Sequence, residues 1–259
     1  MRKLSMLLLA PILLVADECC ISSYLTVGGS YSRLNLKPEG ERSFNGNLWG
    51  AQAKYEYRPI DAFYGALEFR WREGKADSRH ILEFDTAEKL GYTWGCCDWE
   101  TTFYTGFGFR FLRQHVHASK KSTFNGSFFP PFLSNSHSVK LDYYEFYIPV
   151  GFATDYSFNS CFALGINFEW MPQVFPTVQI HPLGGTYWSL KRKIENFLVE
   201  MPFSFTLDDC CTWFLVLSPF YERWQDGHST AKTSRGTPLG LPENTYNYYG
   251  VDLNLVFAF

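Results

Sequence analysis

Hydrophobic and polar residues alternate at period two along most of the chain, and the alternation is plainest in its last nine residues. Val251, Leu253, Leu255, Phe257 and Phe259 fall on one face; Asp252, Asn254 and Ala258 fall on the other with Val256. A period of two is the signature of a β-strand with one apolar side. The same pattern recurs upstream. Leu25, Val27 and Tyr31 oppose Thr26, Ser30 and Ser32; Trp49, Ala51, Ala53, Tyr55 and Tyr57 oppose Gln52, Lys54, Glu56 and Arg58; Phe63, Leu67, Phe69 and Trp71 oppose Glu68, Arg70 and Arg72. A fourth strand keeps Leu82, Phe84, Leu90, Tyr92 and Trp94 on one parity with Glu88, and is expected to carry a bulge near Thr86. Further strands centre on Phe107, Phe146, Ile166, Val199 and Leu215.

The pattern predicts about ten strands joined alternately by short and long connections, an all-β antiparallel up-and-down barrel. Long loops are expected at 37–45, 74–78, 118–137, 172–193 and 226–244, and tight turns elsewhere. Alternation alone does not say which face points outward, because a soluble barrel keeps its apolar row inside. Size decides. The polar parity carries Gly106, Gly108, Gly151, Ala153, Gly165 and Ser204 among its charges, as a crowded interior needs, while the other parity is nearly all large and apolar. Dozens of rings would overfill a narrow barrel, whereas the same rings suit lipid and interfacial girdles. The predicted fold is therefore a transmembrane barrel.

Composition agrees. Aromatic residues make up 19% of the 259 residues, yet mean hydropathy is only −0.17, so apolar and polar residues are closely interleaved. A net charge of −3 leaves no electrostatic footprint for nucleic acid. Arg2 and Lys3 precede an apolar run from Leu4 to Val15 and a small residue, Ala16, which predicts a signal peptide over 1–16 and one barrel domain over 17–259. That run is too short for a spanning helix.

The predicted interior holds Lys54, Arg58, Arg70 and Arg110 with Glu68, Glu145, Glu169, Glu200 and Asp252. Confined ions of opposite sign pair to offset desolvation, which favours a plugged, salt-bridged interior over the alternative of a narrow channel whose acidic excess prefers cations. No cofactor motif is present.

The C-terminal strand resembles that of Gram-negative outer-membrane β-barrel proteins, carried by Val251, Leu253, Leu255, Phe257 and the terminal Phe259. The resemblance implies an integral outer-membrane location, a signal read by the outer-membrane assembly machinery, contact with membrane lipid and lipopolysaccharide, and both termini on the periplasmic side. Cys19, Cys20, Cys96, Cys97, Cys161, Cys210 and Cys211 all fall at the N-terminal entry or in the short turns. Alternate turns lie about 10 Å apart, beyond ordinary disulfide reach, and an odd count leaves at least one thiol for another chain. The exported compartment is oxidising, so disulfides to other cysteine-rich envelope proteins are expected. Metal binding is the lesser alternative, since the adjacent pairs lack C-x-x-C spacing. In this the chain is similar to the cysteine-rich outer-membrane proteins of chlamydiae. A fainter similarity, to the omptin proteases, rests on Glu83 and Asp85, on the Asp226, Gly227, His228 element, and on His115 and His117. The Asp-x-His lies one hairpin later than that family's pattern, so the expected role is non-enzymatic: envelope structure with exposed, adhesin-like or antigen-like loops.

Overall fold

The computed structural model describes residues 22–96, 98–117, 138–181, 187–229 and 241–259. The segment expected to be a signal peptide, together with Cys19, Cys20, Cys97 and the 118–137 loop, lies outside them. Among the described residues there is no helix, and every strand belongs to one antiparallel sheet that closes on itself. β1 (Ser23–Pro38) pairs on one side with β2 (Phe44–Tyr57) and on the other with β14 (Asn244–Ala258), which closes the seam between the first and last strands. β3 (Ala62–Ala76), β4 (Arg79–Cys96) and β5 (Trp99–His117) continue the ring.

Three staves are interrupted. β6 (Ser138–Tyr147) and β7 (Val150–Asn159) both pair with β5 and form one stave, broken at Ile148 and Pro149. β8 (Phe162–Trp170) and β9 (Thr177–His181) form the next; β10 (Tyr187–Ser189), β11 (Phe197–Glu200) and β12 (Phe203–Thr206) the one after, broken beside Pro202. Proline lacks the N–H that a ladder needs, and Pro149, Pro172, Pro176 and Pro202 lie in three of these four breaks; the one between β10 and β11 has none. β13 (Trp213–Asp226) then leads back to β14. Counted as staves, the barrel has ten.

Four expectations are corrected. The fourth strand has no bulge: β4 pairs in unbroken register with β3 and β5, because two complete ladders outweigh the cost of one misplaced carboxylate, and Glu88 points outward between Leu67 and Phe107. The connection expected at 74–78 is a two-residue turn, Asp77 and Ser78, with Asp77 in the left-handed region at φ 50. The connection at 37–45 shrinks to 39–43, and 172–193 contains β9 and β10.

Those longer staves expose an inversion of polarity along the barrel axis. Near the turns, outward positions are apolar and form a belt: Leu25, Val27 and Tyr31 on β1, Leu67, Phe69 and Trp71 on β3, Phe107 and Phe109 on β5. Further toward the loops the same outward rows become Arg33 and Lys37, Glu73 and Lys75, Arg113 and His115. Inward positions change the opposite way. Ser30 and Ser32 on β1 give way to Leu34 and Leu36, both fully buried, which pack with Phe44, Ile81, Leu112, Val178, Ile180 and Trp188 into an apolar core that caps the interior.

Candidate functional site: the barrel interior and its rims

Inward-facing small residues make room for large neighbours. At Gly108 an added Cβ would lie 2.1 Å from the Tyr147 ring, so glycine is required for that ring to enter the lumen. The space is then filled by charge. Arg58 pairs with Asp155 at 2.8 Å and Glu100 at 3.5 Å near the turns. Lys54 meets Glu56 at 2.8 Å and Glu68 at 3.2 Å; Lys89 joins Glu68 at 2.7 Å and also contacts Glu169. Arg70 reaches Glu200 at 3.1 Å, Glu222 at 3.6 Å and Asp252 at 3.9 Å.

Higher up, Arg72 bridges Glu83 at 2.9 Å and Glu222 at 2.6 Å, with the Tyr248 ring 4.5 Å from its guanidinium. Arg110 holds Glu145 at 2.8 Å and Glu83 at 3.3 Å, lies 3.9 Å from Asp226, and stacks over Trp224. Gln173, carried inward by the irregular stretch after β8, donates to Glu145 at 2.6 Å and to the Gln225 carbonyl at 2.9 Å. In this low-dielectric interior each ion is costly alone and stable only with its partners. Carboxylates outnumber cations in the lumen, and the surplus is held by hydroxyls: Tyr147 donates to Asp85 at 2.8 Å, Tyr248 to Glu83 at 2.7 Å and Tyr104 to Glu169 at 3.0 Å.

All nine interior charges singled out from the sequence lie inside the barrel and in this network. Lys89 and Asp155 were missed. Both were legible: with no bulge near Thr86, Lys89 takes the inward parity of Asp85, and Asp155 shares the parity of Gly151 and Ala153.

Of the residues of the protease-like pattern, the structure brings Glu83 and Asp226 together on Arg110 and leaves His115 on the other side of the wall. Asp226 accepts from Tyr246 at 2.6 Å and is fully buried, Asp85 is held by Tyr147, and His228 sits at the loop end with its carbonyl accepting from the Lys191 N–H. His115 is on the outer wall, opposite His80.

At the turn end, Cys96, Cys161, Cys210 and Cys211 are free thiols, the first three exposed, and no disulfide joins cysteines among the described residues. Cys210 and Cys211 sit in a turn organised by Asp208, which accepts from Thr212 Oγ1 at 2.5 Å and from the Trp213 N–H at 2.8 Å; these bonds hold its carboxyl below the usual range. Cys211 is in the left-handed region at φ 56. Phe259 reaches the same end, where its N–H donates to the Ser23 carbonyl and its own carbonyl accepts from the Ser23 N–H. Val251, Leu253, Leu255 and Phe257 face outward in the belt on β14.

No protein-family model matches this chain, and no curated protein does. Solved structures do resemble it. The outer-membrane protease OmpT from Escherichia coli superposes with a TM-score of 0.56 at 11% identity, over 93% of this chain and 97% of that one. The translocator domain of the autotransporter NalP from Neisseria meningitidis gives a TM-score of 0.47 at 8% identity, over 92% and 89%. Ail, the attachment invasion locus protein of Yersinia pestis, gives 0.39 at 11%, over 92% and 100%. At such identities the likeness speaks for the fold alone, and that fold is the closed antiparallel β-barrel of outer-membrane proteins.

Proposed function

We propose that the chain is an integral outer-membrane barrel that serves the envelope as a closed structural element with a surface-exposed loop end, and that it is linked to neighbouring proteins through its turn-end thiols. The observation that carries the reading is the filled interior. Arg72, Arg110, Tyr143, Tyr147, Trp224, Tyr246 and Tyr248 are all buried within it, and the apolar cap lies above. A filled barrel offers no path for hydrated ions and no cleft for a polymer. The exposed belt of aromatic and aliphatic side chains supports insertion in lipid, with the basic loop end outward and the termini periplasmic.

Planar-bilayer recording of the refolded protein tests closure. No steady conductance is expected; a steady cation-selective current would establish the narrow-porin alternative instead. A protease reading predicts peptide cleavage lost in His228→Ala, whereas the closed-barrel reading predicts no cleavage by the wild type.

For the turn end, the proposal is that Cys96, Cys161, Cys210 and Cys211, with Cys19, Cys20 and Cys97, form disulfides to other cysteine-rich envelope proteins. Exposure of Cys96, Cys161 and Cys210 supports it. Electrophoresis of native membranes with and without reductant is expected to resolve high-mass species into monomer; a monomer band indifferent to reductant would sink the idea.

A further inference from the structure

Strand register places one set of side chains at a single height across the outer wall. Lys75 on β3 lies opposite His80 on β4, His80 opposite His115 on β5, His115 opposite Lys140 on β6, and Lys140 opposite His181 on β9. All five are outward positions. At about 4.8 Å between neighbouring strands, the row extends roughly 20 Å around the barrel. Four residues nearer the turns on the same staves lies an aromatic row, Trp71, Phe84, Phe111 and Tyr144, in the same mutual register. The basic row therefore stands roughly 10 Å above an aromatic girdle, within the reach of lysine side chains that lie along the wall.

The intervening row supplies both signs. Glu73 is 3.1 Å from the His80 ring, and Asp142 binds Arg113 at 2.7 Å and the His181 ring at 3.3 Å, so carboxylates orient two of the imidazoles. Behind Lys75, His80 and His115 an open depression of about 400 Å³ is lined also by Asp77, Ser78 and Arg79. Arg79 is turned inward onto Glu41 and Gln114, and Arg113 in the intervening row is committed to Asp142, which leaves Lys75 and Lys140, both exposed, as the uncommitted cations of this stretch of wall. The opposite rim has the reverse charge. Its described turns carry Asp61, Asp98, Asp208 and Asp209, and the one cation beside them, Arg58, is committed to Asp155 inside the barrel.

We propose that the row Lys75, His80, His115, Lys140 and His181 binds the phosphate groups of an anionic membrane glycolipid. This rests on the reading above that the belt is embedded in a membrane. A sideways-facing arc just above an aromatic girdle meets headgroups rather than solutes approaching from bulk water, and two lysines three strands apart, with imidazoles between and beside them, supply charge and N–H donors to more than one phosphate.

The full chain is refolded into phosphatidylcholine vesicles containing bisphosphorylated lipid A or its dephosphorylated form, and glycolipid retained per barrel is counted by native mass spectrometry. Wild type is expected to retain the phosphorylated form. Lys75→Gln with Lys140→Gln is expected to lower retention on the order of tenfold, while Lys75→Arg with Lys140→Arg preserves it. Arg33→Gln with Lys37→Gln, on β1 outside the row, serves as control. Unchanged retention in the Gln pair, or equal loss in the control pair, would overturn the proposal. Full displacement of the glycolipid by inorganic phosphate would reassign the row to a free anion and overturn it likewise. Wild type that inserts, as judged by heat-modifiable electrophoretic mobility, but retains no glycolipid defeats this proposal alone; wild type that inserts into no vesicle defeats the membrane reading as well.

Discussion

The two halves of the barrel are built on the same staves and obey opposite rules. In the belted half, Leu25, Val27, Phe69 and Leu253 face outward and Arg70, Glu200 and Asp252 face in; in the capped half, Arg33, Lys75 and Arg113 face outward and Leu34, Leu36 and Leu112 face in. Strand periodicity is unchanged across the boundary. On the membrane reading proposed above, what changes is the solvent the wall meets: a strand turns its apolar face to whichever side lacks water. The lower half resembles a protein turned inside out, stabilised within by ion pairs. The upper half is an ordinary soluble barrel with an oily core.

The largest expected effect comes from the point where the two halves meet. Arg110 is fully buried, holds Glu145 and Glu83, and lies beneath the cap through Trp224. Arg110→Met keeps much of the volume but leaves buried carboxylates uncompensated, and is expected to cost about 3–5 kcal/mol in urea unfolding of the vesicle-refolded barrel. A loss under about 1 kcal/mol would show that water reaches the network and that the interior is not sealed.

Identical substitutions on the two sides of the boundary sharpen the contrast. Leu36→Ala empties part of a packed core and is expected to cost about 2–5 kcal/mol, whereas Leu253→Ala in the belt leaves no cavity, because lipid fills the space, and costs roughly 1–2 kcal/mol. Charge reverses the ranking of sites by wall position. Leu253→Arg on the belt is expected to destabilise by about 2–4 kcal/mol near the midplane, while Asn35→Arg, outward on β1 above the belt, stays within about 0.5 kcal/mol. Equal costs for the two arginines would mean the belt does not face lipid.

Much of this was legible in the sequence, and the part that was not follows from the inversion. The belted strands were read because a large apolar row opposite small and charged residues admits one solution. The capped half is legible only in part: the pattern assigns 37–45, 74–78 and 172–193 to loops, although these stretches hold Phe44, Lys75 and the strands β9 and β10. Leu34 and Leu36 lie on the parity of Ser30 and Ser32, so the apolar row changes face in mid-strand, and a rule that follows one face stops there. For the same reason Gly74 and Lys75 were assigned to a loop although both sit in the β3–β4 ladder. Lys89 was lost with the expected bulge. Where the interior charges pair was beyond the sequence, since Arg58 with Asp155 and Arg110 with Asp226 join distant staves across the lumen.

The smallest predicted effect tests the boundary at its one exception. Glu88 is the only charged side chain facing outward within the belt among the described residues; it is flanked by Leu67 and Phe107, and the neighbouring cation, Lys89, is turned inward onto Glu68 and Glu169. The register explains its position: moving Glu88 inward would shift β4 by one residue and reverse every side chain on it, sending Lys89 and Asp85 into the belt. One carboxylate in lipid costs less than that, and less than a basic residue at the same depth. Glu88→Leu is therefore expected to stabilise the barrel, by less than about 2 kcal/mol, in vesicles. Glu73→Leu, outward on β3 above the belt and paired with His80, is expected to change stability by no more than about 0.5 kcal/mol. If Glu88→Leu instead weakened the barrel while Glu73→Leu did not, the carboxylate would be contributing a favourable contact, and the belt would have to be redrawn around it.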